Sequence, residues 1–340
     1  MLIMKNSGVI IEVTNADALD YVVDVLVLKH SQALYGLDHK VVSYFYKAGE
    51  KINDKLPPVG EFKLFDGPNN LGARKVMFVG TPRLNNFGYR EIRDFAQRTL
   101  AYLNQSGNES EEIAVTVHGV GYGLDEEEAF SSQLAGFVDG ITKGQCPASL
   151  KKITIIEHRA RRASILKNLL NNTVPGGVVK RDSTTFYQGI EDKSKEVLSE
   201  VGYTSNNKAH VFVAIPYRDE MEDVWDYGIK PVVKSAGYIC ERADLSSFTG
   251  DVMQWVRSRI KTADIVVADL TGSNPNVYLE VGYAWGVEVP TILLCSETEE
   301  LKFDVRGQRC LMYGRIKDLE KKLINELETL KKQKLTGHPT

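Results

Sequence analysis

Cysteine is scarce and scattered in this chain. Cys146, Cys240, Cys295 and Cys310 are the four in 340 residues, with no Cys-x-x-Cys pair and no His/Cys grouping at metal-ligand spacing. A disulfide-stapled secreted scaffold and a zinc module are therefore not expected, and the thiols read as reduced, with the cytoplasm as the expected compartment. Nor does any stretch approach the roughly twenty apolar residues that span a bilayer. The amino-terminal MLIMKNSGVIIEV lacks the ordered regions of a signal peptide, so no membrane partner is expected. Charge of one sign is not in excess either. Lys and Arg number 42 against 45 Asp and Glu, a net charge of −3, which argues against a dedicated nucleic-acid binder with its basic face.

What is present is length and alternation. At 340 residues the chain holds two ordinary domains, each able to bury a core. In the first half, residues 8–13, 22–28, 75–79, 112–118 and 153–157 read as strands, and 40–47, 89–103, 126–141 and 160–170 as helices. The run VDVLVL is apolar enough to be buried on both faces. Residues 29–38 read as a loop. Such alternation predicts a mainly parallel α/β sheet covered by helices. Residues 173–205 have the composition of a connector, within which 191–201 reads as a polar helix, and this puts a first domain at 1–172 and a second at 206–335. The second domain restarts with the strand HVFVA, followed by a helix over 221–236, a strand from 237, a long loop over 241–250 and a helix over 251–262. Strands at 264–270 and 291–295 and a charged closing helix over 318–332 complete it.

Residues 263–286, ADIVVADLTGSNPNVYLEVGYAWG, carry the chemistry. A β-branched strand ends in Asp269, a run of turn formers follows, and a helical pattern then begins at Val277. In open α/β sheets ligands collect at the carboxyl ends of strands, and this rim would present Asp269, Asn274, Asn276 and Glu280. Glu280 is the one charge in an otherwise apolar helix, a setting that raises a carboxyl pKa or holds the group against a ligand; its bland reading is a cap or a salt bridge. Asp269 has two readings as well, a ligand contact or an acceptor for the loop that follows it. Tyr217 and Arg218, after HVFVAIP, share the rim and would flank a phosphate or sugar; a rim salt bridge is the plainer fate of Arg218. Asp244 lies in the long loop. Tyr283 and Trp285 read as core aromatics.

In the first half, HGVGYGLDEEEA sets glycines at 119, 121 and 123 on a strand-to-helix turn. That geometry exposes backbone N–H groups to a phosphate, so Gly119, Val120, Gly121, Tyr122 and Gly123 form a candidate nucleotide loop. The acids from Asp125 to Glu128 oppose a phosphate unless they turn away, and helix capping is their simpler explanation. His118 reads as a structural histidine.

The strand ending in Asp269 with Asn-Pro-Asn-Val-Tyr-x-Glu-x-Gly-Tyr-Ala resembles nucleoside 2-deoxyribosyltransferase-like and bacterial TIR-like proteins, over about residues 210–311. That resemblance implies a flavodoxin-like parallel sheet in which Glu280 works at the ribose of a nucleoside or of NAD. Deoxyribosyltransferases carry a second acid where this chain has Asn274, so hydrolysis or cyclisation is expected over base exchange. The first half, over roughly 8–170, is similar to macro domains and to the amino-terminal domain of leucyl aminopeptidases, with Lys29 to Gln32 standing where ADP-ribose binders have an Asn and a glycine run.

Together the resemblances imply two doubly wound α/β domains. The second would be an N-glycosidase cleaving a nucleoside, nucleotide or NAD, with Glu280 and Asp269 catalytic and Tyr217, Arg218, Asp244, Asn274 and Asn276 binding substrate. The first would bind a regulatory, ADP-ribose-like nucleotide, and self-limiting antiviral defence would follow. No cofactor is required beyond the nucleotide or NAD substrate, and a homo-oligomer is expected. The alternative is a non-catalytic nucleotide-sensing and self-association module.

Overall fold

The computed structural model describes residues 8–181, 192–242, 250–298, 305 and 307–336. They form two compact units, each built on one sheet: residues 1–120 with 126–206, and residues 121–125 with 207–340. Both are α/β, as the alternation of elements predicts.

The first unit has seven strands in the order β3-β4-β2-β5-β6-β1-β7. These are β1 (Gly8–Asn15), β2 (Val23–His30), β3 (Phe62–Asp66), β4 (Ala73–Gly80), β5 (Glu112–Thr116), β6 (Lys152–Glu157) and β7 (Val178–Lys180). The five inner strands are parallel, and β3 and β7 close the edges antiparallel. The apolar run of β2 explains its inner place: Val25 and Val27 point into one core while Leu26 and Leu28 point into the other. Over the second face lies α1 (Gly36–Lys47), contributing Val41, Val42 and Phe45. It starts four residues earlier than the pattern from Lys40 suggests, which shortens the loop after β2. Across the other face pack α2 (Tyr89–Gln105) and α3 (Glu126–Thr142), with Phe95, Leu100, Phe130, Leu134 and Phe137 fully buried. Each such side chain contributes about 1.5–3 kcal/mol of hydrophobic stabilisation. The two helices approach closely at Gly136, where a Cβ would lie 2.1 Å from the Arg93 carbonyl oxygen, so only glycine fits. The layer is completed by α4 (Ala160–Thr173).

Strand β3 is absent from the pattern reading because it is short and only half-buried at the edge. The stretch 173–205, expected as a connector, adds β7 and α5 (Asp192–Glu200) to the first unit, with Leu198 and Val201 buried in its core. Its charged composition conceals that few large side chains suffice when one cation gathers the backbone. Arg93, buried on α2, donates to the carbonyl oxygens of Ser199 (3.2 Å) and Val201 (2.6 Å). It pairs with Asp139 at 2.9 Å and lies 4.2 Å from the Tyr203 ring centroid.

The second unit has five parallel strands: β8 (His210–Ala214), β9 (Ile239–Glu241), β10 (Ile265–Asp269), β11 (Thr291–Ser296) and β12 (Cys310–Tyr313), ordered β12-β11-β10-β8-β9. Counted within the unit this is 2-1-3-4-5, a doubly wound sheet whose order reverses between β8 and β10. Strands β8, β9 and β10 are buried along their whole length. The four-residue, mostly half-buried β12 gives no comparable sequence signal.

The single helix expected over 221–236 is interrupted. It runs as α6 (Asp219–Asp223), a widened π turn over Val224–Ile229, and α7 (Lys230–Ser235). Pro231 explains the break, because it has no N–H to continue the ladder and its ring crowds the preceding turn. The remaining helices are α8 (Gly250–Thr262), α9 (Pro275–Gly286) and α10 (Ile316–Thr336). Residues 121–125 pack with this unit: the Asp125 carboxylate accepts from the Cys240 N–H at 3.0 Å and from Lys234 Nζ at 3.1 Å. Asp125, read from the sequence as a helix cap, is held in this ion pair.

Truncating Arg93 leaves two buried carbonyls and Asp139 short of their donor, a loss of about 3–5 kcal/mol. Arg93→Ala is expected to lower the melting temperature by roughly 10 °C and to open residues 196–206 to limited proteolysis. An unchanged digestion pattern would show that this arginine does not hold the segment.

Candidate functional site

The strand order reverses between β8 and β10, which pair from Val211 with Ile265 to Ala214 with Ala268, and it is outside the carboxyl ends of strands at such a reversal that open α/β sheets bind ligands. The loop after β8 presents Tyr217 and Arg218, both exposed. Arg218 Nη2 donates to the Thr271 carbonyl oxygen at 3.2 Å, joining this loop to the one after β10. There Gly272 and Ser273 adopt positive φ of 74° and 50°. A Cβ on Gly272 would fall 2.1 Å from Arg218 Nη2, so glycine leaves room for the guanidinium. Asn274 caps α9, its Oδ1 accepting the Asn276 N–H at 2.9 Å, and Pro275 opens the helix. The Asn276 side chain is half-exposed.

Two buried carboxyls follow from β10, and their surroundings differ. Asp269 is 0% exposed; Oδ1 accepts the Thr271 N–H at 3.0 Å and Oδ2 the Tyr313 hydroxyl at 2.7 Å. Burial pushes its pKa up, while those hydrogen bonds and the Arg218 charge pull it back. Thr271 in turn accepts the Ser296 N–H at Oγ1, 2.9 Å away. Of its two sequence readings, the loop acceptor is what this geometry displays: Asp269 ties the ends of β10, β11 and β12 together.

Glu280 lies on the stripe of α9 that packs inward, with Val277, Val281 and Ala284 at helical spacing. It is 5% exposed, and no hydrogen bond or ion pair meets its carboxyl among the described residues. Burial alone raises its pKa from 4.5 to about 8. At neutral pH this group is mostly a neutral acid, so the anionic carboxylate expected from the resemblance exists only once the proton has left. The same stripe corrects the reading of the aromatics. Trp285 is 38% exposed and Tyr283 half-buried, because the inward face is already filled by Val277, Glu280, Val281 and Ala284.

Pattern reading missed Tyr313, which arrives on the unrecognised β12, and Arg242. The latter follows β9 on the same rim, 8% exposed, with its guanidinium carbon 4.4 Å from the Tyr217 ring centroid and 5.1 Å from that of Trp225. No motif marks it; a polar residue directly after a buried strand is the one signal it carries. Asp244 lies outside the described residues.

In the glycine loop, Gly119 and Gly123 take positive φ of 88° and 110°, with a single 3₁₀ turn over Val120–Tyr122 between them. Gly119 and Val120 belong to the first unit, and Gly121, Tyr122 and Gly123 to the second. His118, before the loop, is buried against Phe95 with ring centroids 4.5 Å apart, and its backbone N–H donates to Gln133. Burial, reinforced by the Lys29 charge, holds its pKa well below 6.5, so it is neutral. At the end of β2, Lys29 is buried in an ion pair with Asp38 at 3.1 Å. Among the described residues, no group of His, Cys, Asp and Glu is placed to hold a metal ion, and no helix is long and apolar enough to cross a membrane.

No protein-family model and no curated protein matches the sequence. Among solved structures, a CMP N-glycosidase of Clostridium botulinum is 22% identical over 34% of this chain and 98% of its own, with a TM-score of 0.29. A mutant macrodomain of Oceanobacillus iheyensis with ADPR is 17% identical over 49% of this chain and 94% of its own, at 0.39. A mutant tomato leucine aminopeptidase is 9% identical over 95% and 89%, at 0.31.

Burial of Glu280 has a thermodynamic signature. The unfolded chain releases this proton near 4.5 and the folded chain keeps it to about 8, so between these values the unfolded state binds fewer protons. Stability from this group is fully present below about 4.5 and is lost as pH rises through about 8, on the order of 5 kcal/mol in all. Urea unfolding at pH 5 and pH 8 is expected to show a fall in the parent that Glu280→Gln abolishes. Parallel pH dependence in the two would mean that the carboxyl is solvated.

Proposed function

We propose that the second unit cleaves the N-glycosidic bond between a sugar and a base in a nucleoside, a nucleotide or NAD. The observation that carries this is Glu280, buried on the helix that follows β10 at the strand-order reversal, with no hydrogen bond or ion pair to its carboxyl among the described residues. A carboxyl kept without a partner costs stability, which favours a working group over a structural one. The protonated acid delivers its proton to the departing base nitrogen as the C1′–N bond breaks and its electron pair leaves with the base. The resulting carboxylate then stabilises the oxocarbenium-like sugar. Water adds at C1′, and its proton returns to Glu280. A neutral base needs that proton to leave, whereas the nicotinamide of NAD departs without it, so nucleosides and nucleotides suit the acid form better. In this reading Asp269 acts through its loop as a positioning residue, Arg218 and Tyr217 flank the substrate, and Asn274 and Asn276 set the start of α9. The first unit binds a regulatory nucleotide, to which Gly119 and Val120 offer their part of the glycine loop.

A second reading is favoured by the outward side of α9, where Leu279 is 56% exposed and Trp285 stands clear of the core, with open space at Gly282 and Gly286. An apolar face of this kind suits self-association by a non-catalytic sensing module.

Release of free base from nucleosides, nucleoside monophosphates and NAD, followed by chromatography, tests the first reading. Glu280→Gln is expected to slow release by about 10²–10⁴-fold, and the parent rate is expected to fall as pH rises through about 8. A rate within a few-fold of the parent in the variant removes Glu280 from the chemistry. Sedimentation of the parent and of Leu279→Lys tests the second: concentration-dependent assembly lost in the variant, without base release from any substrate, favours the sensing module.

A further inference from the structure

Arg242 is a buried cation whose hydrogen-bonding capacity is only partly used. Its side chain is 6% exposed, held between the faces of Tyr217, from the loop after β8, and Trp225, from the π turn. Nη2 donates to Glu222 Oε1 at 3.0 Å, while Nε is buried without a hydrogen-bond partner among the described residues. A guanidinium offers Nε–H and Nη2–H along one edge as a fork that matches two oxygens of a carboxylate or phosphate. Here one prong is engaged and the other is idle. The two partners also differ in freedom: Arg242 is fixed by aromatic faces, whereas the Glu222 side chain is 33% exposed and lies at the end of α6 where the helix widens. Cation–π stacking orients the guanidinium plane without using any of its donors.

We propose that Arg242 anchors an anionic group of the substrate, the phosphate of a nucleoside 5′-monophosphate, and that Glu222 holds the fork until that phosphate displaces it. The proposal rests on the reading above that substrate enters this rim. Two phosphate oxygens satisfy Nε and Nη2 together, and the released Glu222 carboxylate turns to water. Arg218, exposed on the neighbouring loop, supplies a second positive charge on the same rim. Tyr217 directly precedes Arg218 and its ring lies 4.4 Å from the Arg242 guanidinium carbon, so in this proposal the ring is a wall of the phosphate site rather than a base-stacking face.

The test measures binding apart from turnover. Isothermal titration uses the full chain carrying Glu280→Gln, with adenosine, AMP, cytidine, CMP, NAD and inorganic phosphate at one ionic strength. A monophosphate is expected to bind at least about tenfold tighter than its nucleoside. Adding Arg242→Gln is expected to bring the two within about twofold, Arg242→Lys to keep part of the preference, and Glu222→Gln to tighten monophosphate by about threefold while leaving the nucleoside unchanged. Equal binding of nucleoside and monophosphate overturns the proposal, as does a preference that survives Arg242→Gln in a chain melting like its parent. Inorganic phosphate binding as tightly as AMP or CMP overturns the substrate role in favour of a free-phosphate site. Should Arg242→Gln not fold, Glu222→Gln decides, and an unchanged ratio there overturns the proposal. Base release by the chain with native Glu280 is scored separately: monophosphate preference without release removes the glycosidase reading and leaves the phosphate site standing.

Discussion

In the second unit everything near the carboxyl ends of β8 and β10 depends on parallel strands being joined by crossovers that return to the same end. Five strands in the order 2-1-3-4-5 send their connections to opposite faces on either side of β8 and β10, so the loops after those two strands part. Arg218 spans that parting by bonding the Thr271 carbonyl oxygen, and Gly272 makes the space for it. The rim is thereby stiffened from within the backbone. Side chains set on it keep their positions because the strands beneath are buried on both faces and have no register in which to slip.

Against that frame the contrast between Asp269 and Glu280 is one of satisfaction. Both sit in low dielectric, where a carboxylate without donors is expensive. Asp269 receives an N–H and a phenolic O–H, and its burial is offset by the loop it organises. Glu280 receives neither among the described residues and keeps its proton instead. Replacing it with leucine would extend the stripe of Val277, Val281 and Ala284 and remove the burden, so its retention weakens the fold in favour of something the fold does not need. The exposed Trp285 on the far side of the helix fits this: the inward stripe has given one of its places to an acid.

Much of this was legible beforehand, for physical reasons that can be named. Alternation of β-branched runs with helical periods marks the α/β class, since it depends on side-chain period alone. Glu280 was visible because a lone charge in an apolar helix violates that period. Edge elements were not: β3 and β12 are short and half-buried, so hydrophobic pattern barely distinguishes them from loops. Residues 173–205 read as a connector with a polar helix rather than as part of the first core, because a single buried cation, Arg93, does there what a row of leucines does elsewhere, and a cation's partners are not encoded near it in sequence. Tyr313 and Arg242 were hidden for the same reason. Their meaning comes from what the sheet order sets beside them.

Pro231 shows how such a placement arises. In a straight helix over 221–236 each residue would advance by a fixed angle, and Glu222 and Trp225, three apart, would lie nearly in line on one face. The proline deprives the helix of one hydrogen bond, and the turn before it widens to hold an extra residue. That widening moves Trp225 relative to Glu222, which lets the ring lie against the guanidinium of Arg242 while the carboxylate meets it at Nη2. A regular helix would keep the hydrogen bond that Pro231 forgoes. What the irregular one provides is a cation held by faces rather than by donors, with part of its hydrogen-bonding edge left open to a second anion.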